Sequence, residues 1–133
     1  MKNSFFLFLF IIPSFLLKAK ESYEFIGIPV TKISESGEFT SSKEISNKAE
    51  FRCVISATDG KYYWKTRENK EMVKVRSGIY ITYIALNGSG YVRVIDQEMK
   101  KIVFKDGETK FDYKEHLISG LSSVTYYGIT KQK

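Results

Sequence analysis

The amino-acid sequence predicts a mostly β domain, a small antiparallel β-barrel or sandwich with one short α-helix near the C-terminus. Three observations carry this expectation. Apolar and polar residues alternate at period two, as in Phe51, Cys53 and Ile55 against Arg52 and Ser56, which marks half-buried strands. Short runs of this kind are separated by the turn pairs Asp59-Gly60, Asn87-Gly88 and Asp106-Gly107, which favour hairpins. Beyond residue 19 the chain also keeps fifteen aromatic residues, nine of them Tyr, and aromatic residues suit strands.

Taken in order, Tyr23–Val30 reads as the first strand, with Gly27 and Pro29 restricting it to an edge or a bend. Residues 34–48 are rich in Ser, Glu and Lys and read as an exposed loop, with room for a short strand near Phe39 or Ile45. Strong alternation starts at Glu50. Asp59-Gly60 then turns the chain into KYYWKTR, where Tyr62 and Trp64 share one face and Tyr63, Lys65 and Arg67 share the other. After a polar turn at 68–71, Val73 and Val75 alternate with Lys74 and Arg76. IYITYIAL at 79–86 is the most apolar strand and is expected at the centre of the sheet, and the glycine-rich NGSG returns it into YVRVI at 91–95.

Residues 96–101 suit a single helical turn, and Ile102–Phe104 and Thr109–Phe111 flank Asp106-Gly107 as a further hairpin. The one helix is expected at 112–119. Asp112 is its N-cap, Glu115 completes a capping box, Leu117, Ile118 and Leu121 give an apolar stripe, and Gly120 stops it. Ser123–Ile129 reads as the last strand.

Residues 1–19 read as a cleavable signal peptide. Lys2 starts the chain with a charge, Phe5–Leu17 is apolar apart from Pro13 and Ser14, and Ala19 supplies a small residue for the cut. The apolar run is shorter than the roughly 20 residues of a spanning helix. Residues 20–133 then form a single β-rich domain with no membrane span of its own. Two Lys of the +6 chain lie in the leader, so the remainder carries +4. That is mildly basic, enough to assist contact with an anionic surface and short of a nucleic-acid footprint.

Few residues of catalytic type are present. Cys53 and His116 are the lone representatives of their types. Cys53 sits in an apolar row and is expected in the core, where a thiol is inert. Structural zinc asks for about four Cys or His ligands, and the Asp residues are scattered, so neither metal nor cofactor is expected. The mixed aromatic and basic segment stands out instead. Tyr63, Lys65 and Arg67 on one strand face, with Lys74 and Arg76 close behind, suit stacking on sugars and contact with anionic groups.

The stretches ATDGKYYWKTRENKEM, SGIYITYIALNGSGYVRV and DYKEHLISGLSSVTYYG resemble small exported bacterial proteins without an assigned activity. That resemblance implies a compact bacterial domain and transfers no site. Tyr126, Thr130 and Lys131 also resemble the Tyr-x-x-x-Thr-Lys segment of periplasmic lysozyme inhibitors, whereas Ser89-Gly90-Tyr91 departs from that family's loop and a lone Cys cannot form its disulfide.

The sequence therefore points to an exported, non-enzymatic binding module of the bacterial envelope, periplasmic or extracellular. Tyr63, Lys65, Arg67, Lys74 and Arg76 are its candidate binding residues, and an anionic envelope polymer or an acidic protein is its expected partner. An inhibitor of a secreted hydrolase such as lysozyme is the alternative, and a small enzyme using Cys53 and His116 is a third.

Overall fold

The computed structural model describes residues 20–105 and 108–131. Its strands are β1 (Glu21–Ser36), β2 (Phe39–Glu44), β3 (Cys53–Thr58), β4 (Lys61–Trp64), β5 (Lys70–Ser77), β6 (Tyr80–Ala85) and β7 (Gly90–Ile95). A helix, α1 (Gln97–Val103), precedes β8 (Tyr113–Ser119) and β9 (Ser122–Thr130). From β3 to β9 each strand pairs antiparallel with the next, and β9 returns to pair with β1. The result is a closed eight-stranded barrel of β1 and β3–β9, with β2 as an extra strand.

The long β1 makes this closure possible. Its first part pairs with β3 and its last part pairs with β2 on the same edge, while the other edge runs along β9. Two irregularities, at Tyr23/Phe25 and at Pro29/Thr31, bend it around the barrel. Pro29 is tolerated because it stands beside the second of these. The expected edge or bend at Pro29 is thus found within a strand twice the expected length.

Phe25, Ile55, Trp64, Tyr83 and Val92 are buried in the interior, with Cys53 among them. Tyr62 packs against this core from the same face of β4 as Trp64, as the alternation predicts. Asp59-Gly60 joins β3 to β4 with φ of 54° and 75°, the paired left-handed conformations of a tight hairpin turn. Within the stretch 34–48, expected as an exposed loop, the short strand allowed near Phe39 is β2, whose six residues are all exposed. A strand with no buried face shows no hydrophobic alternation.

The helix expected at 112–119 is instead strand β8, and the helix lies mid-chain at Gln97–Val103. Asp96 caps it, accepting a hydrogen bond from the Glu98 backbone. Tyr113, Glu115 and Leu117 form the inward row of β8, while Ile118 is 44% and Leu121 95% exposed. The period-two pattern was masked because one of its inward members is a glutamate. Gly120, with φ of 58°, turns β8 into β9 and does not stop a helix. Ile102 and Val103 belong to α1 rather than to a strand, and Thr109–Phe111 forms none. Asp106-Gly107 lies outside the described residues.

Candidate functional site

The five residues singled out from the sequence do not form one surface. Tyr63 and Lys65 stand on the outside of the wall, where Lys65 Nζ is 3.0 Å from Glu21 Oε1 and Tyr63 is paired in register with Glu71. Each positive charge of this patch has an acid at hand, since Lys61 also faces Glu71 at 3.8 Å.

Arg67 is on the other side of the wall. The strand ends at Trp64, and the chain then turns through Glu68 and Asn69, both left-handed. The alternation that would align Arg67 with Tyr63 ends there too. Its side chain reaches Glu115 of β8, with Nε 2.8 Å from Oε1. Lys74 and Arg76 share the inward parity of buried Met72 and sit near the barrel end, where they pair with Glu24 at 3.1 Å and Asp96 at 2.5 Å. The grouping of Arg67, Lys74 and Arg76 with the Tyr63 face is corrected accordingly: all three are held by acids.

Glu115 has no exposed surface, and burial pushes its carboxyl up to about 7 even though Arg67 beside it pulls the other way. Arg67 meets it at ion-pair distance without a well-aligned hydrogen bond. Cys53 is buried in the same interior, and burial raises its thiol well above the ordinary value. His116 is the next residue along β8 and points outward, where Nδ1 lies 2.8 Å from Thr125 Oγ1. Cys53 and His116 therefore lie on opposite faces of the wall.

The outer wall of β6–β9 carries an arrangement that the sequence pattern does not predict. Register places Thr82, Arg93, Lys114 and Tyr127 side by side across four strands. The neighbouring row is Ile84, Tyr91, His116 and Thr125. Arg93 lies over the rings of Tyr80 and Tyr91 at 5.8 and 5.7 Å, and Lys114 lies over those of Tyr91 and Tyr127 at 5.6 and 5.8 Å. Phe111 extends the row beside Tyr127 at 5.9 Å, with Lys110 5.0 Å from its ring centroid.

Two cations, Arg93 and Lys114, are thus direct cross-strand neighbours, a placement that costs stability. Among the described residues neither has a carboxylate within 4 Å. The ring faces supply partial compensation. The Tyr91 hydroxyl raises the Lys114 ammonium above its ordinary range, so it stays charged. His116 is pushed down by partial burial and then by Lys114, which keeps its ring neutral. The clue available in the sequence was the shared parity of Tyr91 with Arg93 and of Lys114 with His116. Their meeting depends on register, which spacing alone does not give.

The lysozyme-inhibitor resemblance rested on Tyr126, Thr130 and Lys131. Tyr126 is buried, Thr130 is bonded to Asp112, and Lys131 is exposed at the barrel end. Among the described residues no group of three His, Cys, Asp or Glu is placed to hold a metal, and no helix is long and apolar enough to cross a membrane. Comparison with known protein families, curated proteins and solved structures returns no match.

Proposed function

We propose that this protein is an exported binding module of the bacterial envelope that grips an anionic glycan polymer along the outer wall of β6–β9. The supporting observation is the Arg93–Lys114 pair, two adjacent cations set among Tyr80, Tyr91 and Tyr127 with no carboxylate within 4 Å among the described residues. A local rule broken at the cost of stability is expected where a site is built. An anionic group bound between the two cations relieves their repulsion, and the flanking rings offer flat faces to sugars. The Tyr63–Lys65 face, neutralised by Glu21 and Glu71, makes a poorer site. The leader-like residues 1–19 support export, toward compartments in which such polymers occur.

The test is retention of the purified protein on immobilised polygalacturonate, with dextran and polyglutamate as comparators. Polygalacturonate should retain it and dextran should not. Arg93→Gln with Lys114→Gln should abolish retention, and salt should weaken it through screening. Equal retention of the double variant overturns the reading. Stronger retention on polyglutamate than on polygalacturonate would instead favour an acidic protein partner, because a peptide carboxylate lacks the sugar face.

A further inference from the structure

One end of the barrel is open. There β7 runs into α1, β9 ends, and the first residues of β1 pass alongside. The opening is a pocket of about 620 Å³ lined by residues of all four elements and of β6. Ligand pockets typically span roughly 300–1,000 Å³. Its floor is apolar, formed by Phe25, Ile81, Tyr83 and Val94, three of them buried members of the core. A small eight-stranded barrel has room for one small ligand at most, and its mouth is where such a ligand enters.

The rim decides the chemistry of the occupant. Two acids line it, and both are already engaged. Glu24 Oε2 is 3.1 Å from Lys74 Nζ and also accepts a hydrogen bond from the Tyr83 hydroxyl at 3.3 Å. Asp96 is held by Arg76 and accepts from the Glu98 backbone. The two lysines of the lining, Lys101 on α1 and Lys131 after β9, have no carboxylate within 4 Å among the described residues. The rim is therefore positive where it is not already neutralised. The site differs from the outer wall in place and in shape, being concave and apolar where the wall is convex and aromatic.

The geometry points to a second binding site at this mouth, for a small amphipathic carboxylate. Its apolar body lies against Phe25, Ile81, Tyr83 and Val94, and its charged end meets Lys101 and Lys131. An apolar chain enters without displacing any ion pair, because Lys74 and Arg76 already occupy the two acids. A cationic amphiphile of the same length meets the lysines instead and is disfavoured.

The experiment is calorimetric titration of the purified protein with dodecanoate and with dodecyltrimethylammonium, each below its micelle concentration. Dodecanoate should bind at one site per chain and about tenfold or more tighter than the cation, the scale of one charged hydrogen bond. Lys101→Glu with Lys131→Glu, both on the exposed rim, should reverse that preference. Ile81→Trp, which fills the mouth, should remove binding of both while polygalacturonate retention persists. Should Ile81→Trp not fold, the rim variant alone decides. Absence of dodecanoate binding by folded protein, equal affinity for the two amphiphiles, or an unchanged preference in the rim variant overturns the proposal. Polymer retention reports separately on the outer wall, so either site can fail without the other.

Discussion

Arg67 Nε lies 2.8 Å from Glu115 Oε1 inside the barrel, and Glu115 has no exposed surface. Arg67 itself is mostly covered, its side chain 19% exposed, with its guanidinium 5.6 Å from the ring centroid of Tyr126. Removing one member of a buried pair leaves the other charge stranded, which costs far more than the pair contributes. Arg67→Ala should therefore lose about 3–5 kcal/mol in urea unfolding at pH 8. Replacing Arg67 and Glu115 together by leucine should lose less than the single change. A loss below about 1 kcal/mol for Arg67→Ala, the scale of an exposed pair, would show that water reaches Glu115.

The same carboxyl sets a pH dependence. Burial raises Glu115 from its ordinary 4.5 to about 7. A carboxyl raised on folding binds its proton more tightly in the folded state. Its contribution is then fully present below pH 4.5 and lost as pH rises through about 7. Between those values the wild type should lose stability relative to Glu115→Gln, with a slope of at most about 1.4 kcal/mol per pH unit. Unfolding midpoints of the two proteins from pH 4.5 to 8 provide the check, and parallel profiles would contradict it.

These interior groups also explain what was legible in the sequence. Alternation predicts the inward row where that row is wholly apolar: Trp64 with Tyr62, and Cys53 with Ile55 on β3. Asp59-Gly60 predicts its hairpin because turn chemistry is local. The sequence predicts a helix at β8 because Glu115 interrupts the inward row, and Asp112 and Glu115 imitate a capping box. Asp112 in fact accepts from the Thr130 backbone and faces Lys100 Nζ at 2.9 Å, tying β9 and α1 to the start of β8. The Arg93–Lys114 pair was illegible for another reason: the two are far apart in the chain, and only register joins them.

The seam between β9 and β1 offers a steric prediction. A Cβ on Gly128 would run into the carbonyl oxygen of Ile28 and within 2.6 Å of the Tyr113 ring. The carbonyl belongs to the paired strand and cannot move without opening the barrel. Gly128→Ala should cost about 1–3 kcal/mol or more, as overpacking does. Gly37, with open space around it and φ of 57°, serves as a control in which the penalty is conformational only. Thermal unfolding of the two variants separates the causes, and equal losses would mean that the seam yields.

Cys53 is wholly buried, and burial raises its thiol well above the ordinary range. Both effects suppress thiolate at the surface. Alkylation by iodoacetamide at pH 8 should proceed only as fast as the barrel opens, and Arg67→Ala should accelerate it by destabilising the fold. Rapid labelling of the folded wild type would contradict the burial and revive Cys53 as a reactive group.

Lys114 lets stability and binding be separated. It stands directly across from Arg93, so Lys114→Glu turns a like-charge pair into an opposite-charge pair. Cross-strand pairs of this kind differ by about 0.2–1 kcal/mol, so the variant should be more stable than the wild type. The same change removes the cation that polygalacturonate would meet, and retention should fall sharply. A purely structural wall would gain stability and lose nothing, whereas a binding wall gains stability and loses its ligand. Unfolding midpoints and column retention on one preparation distinguish the two. Retained binding alongside higher stability would show that Lys114 takes no part in the site.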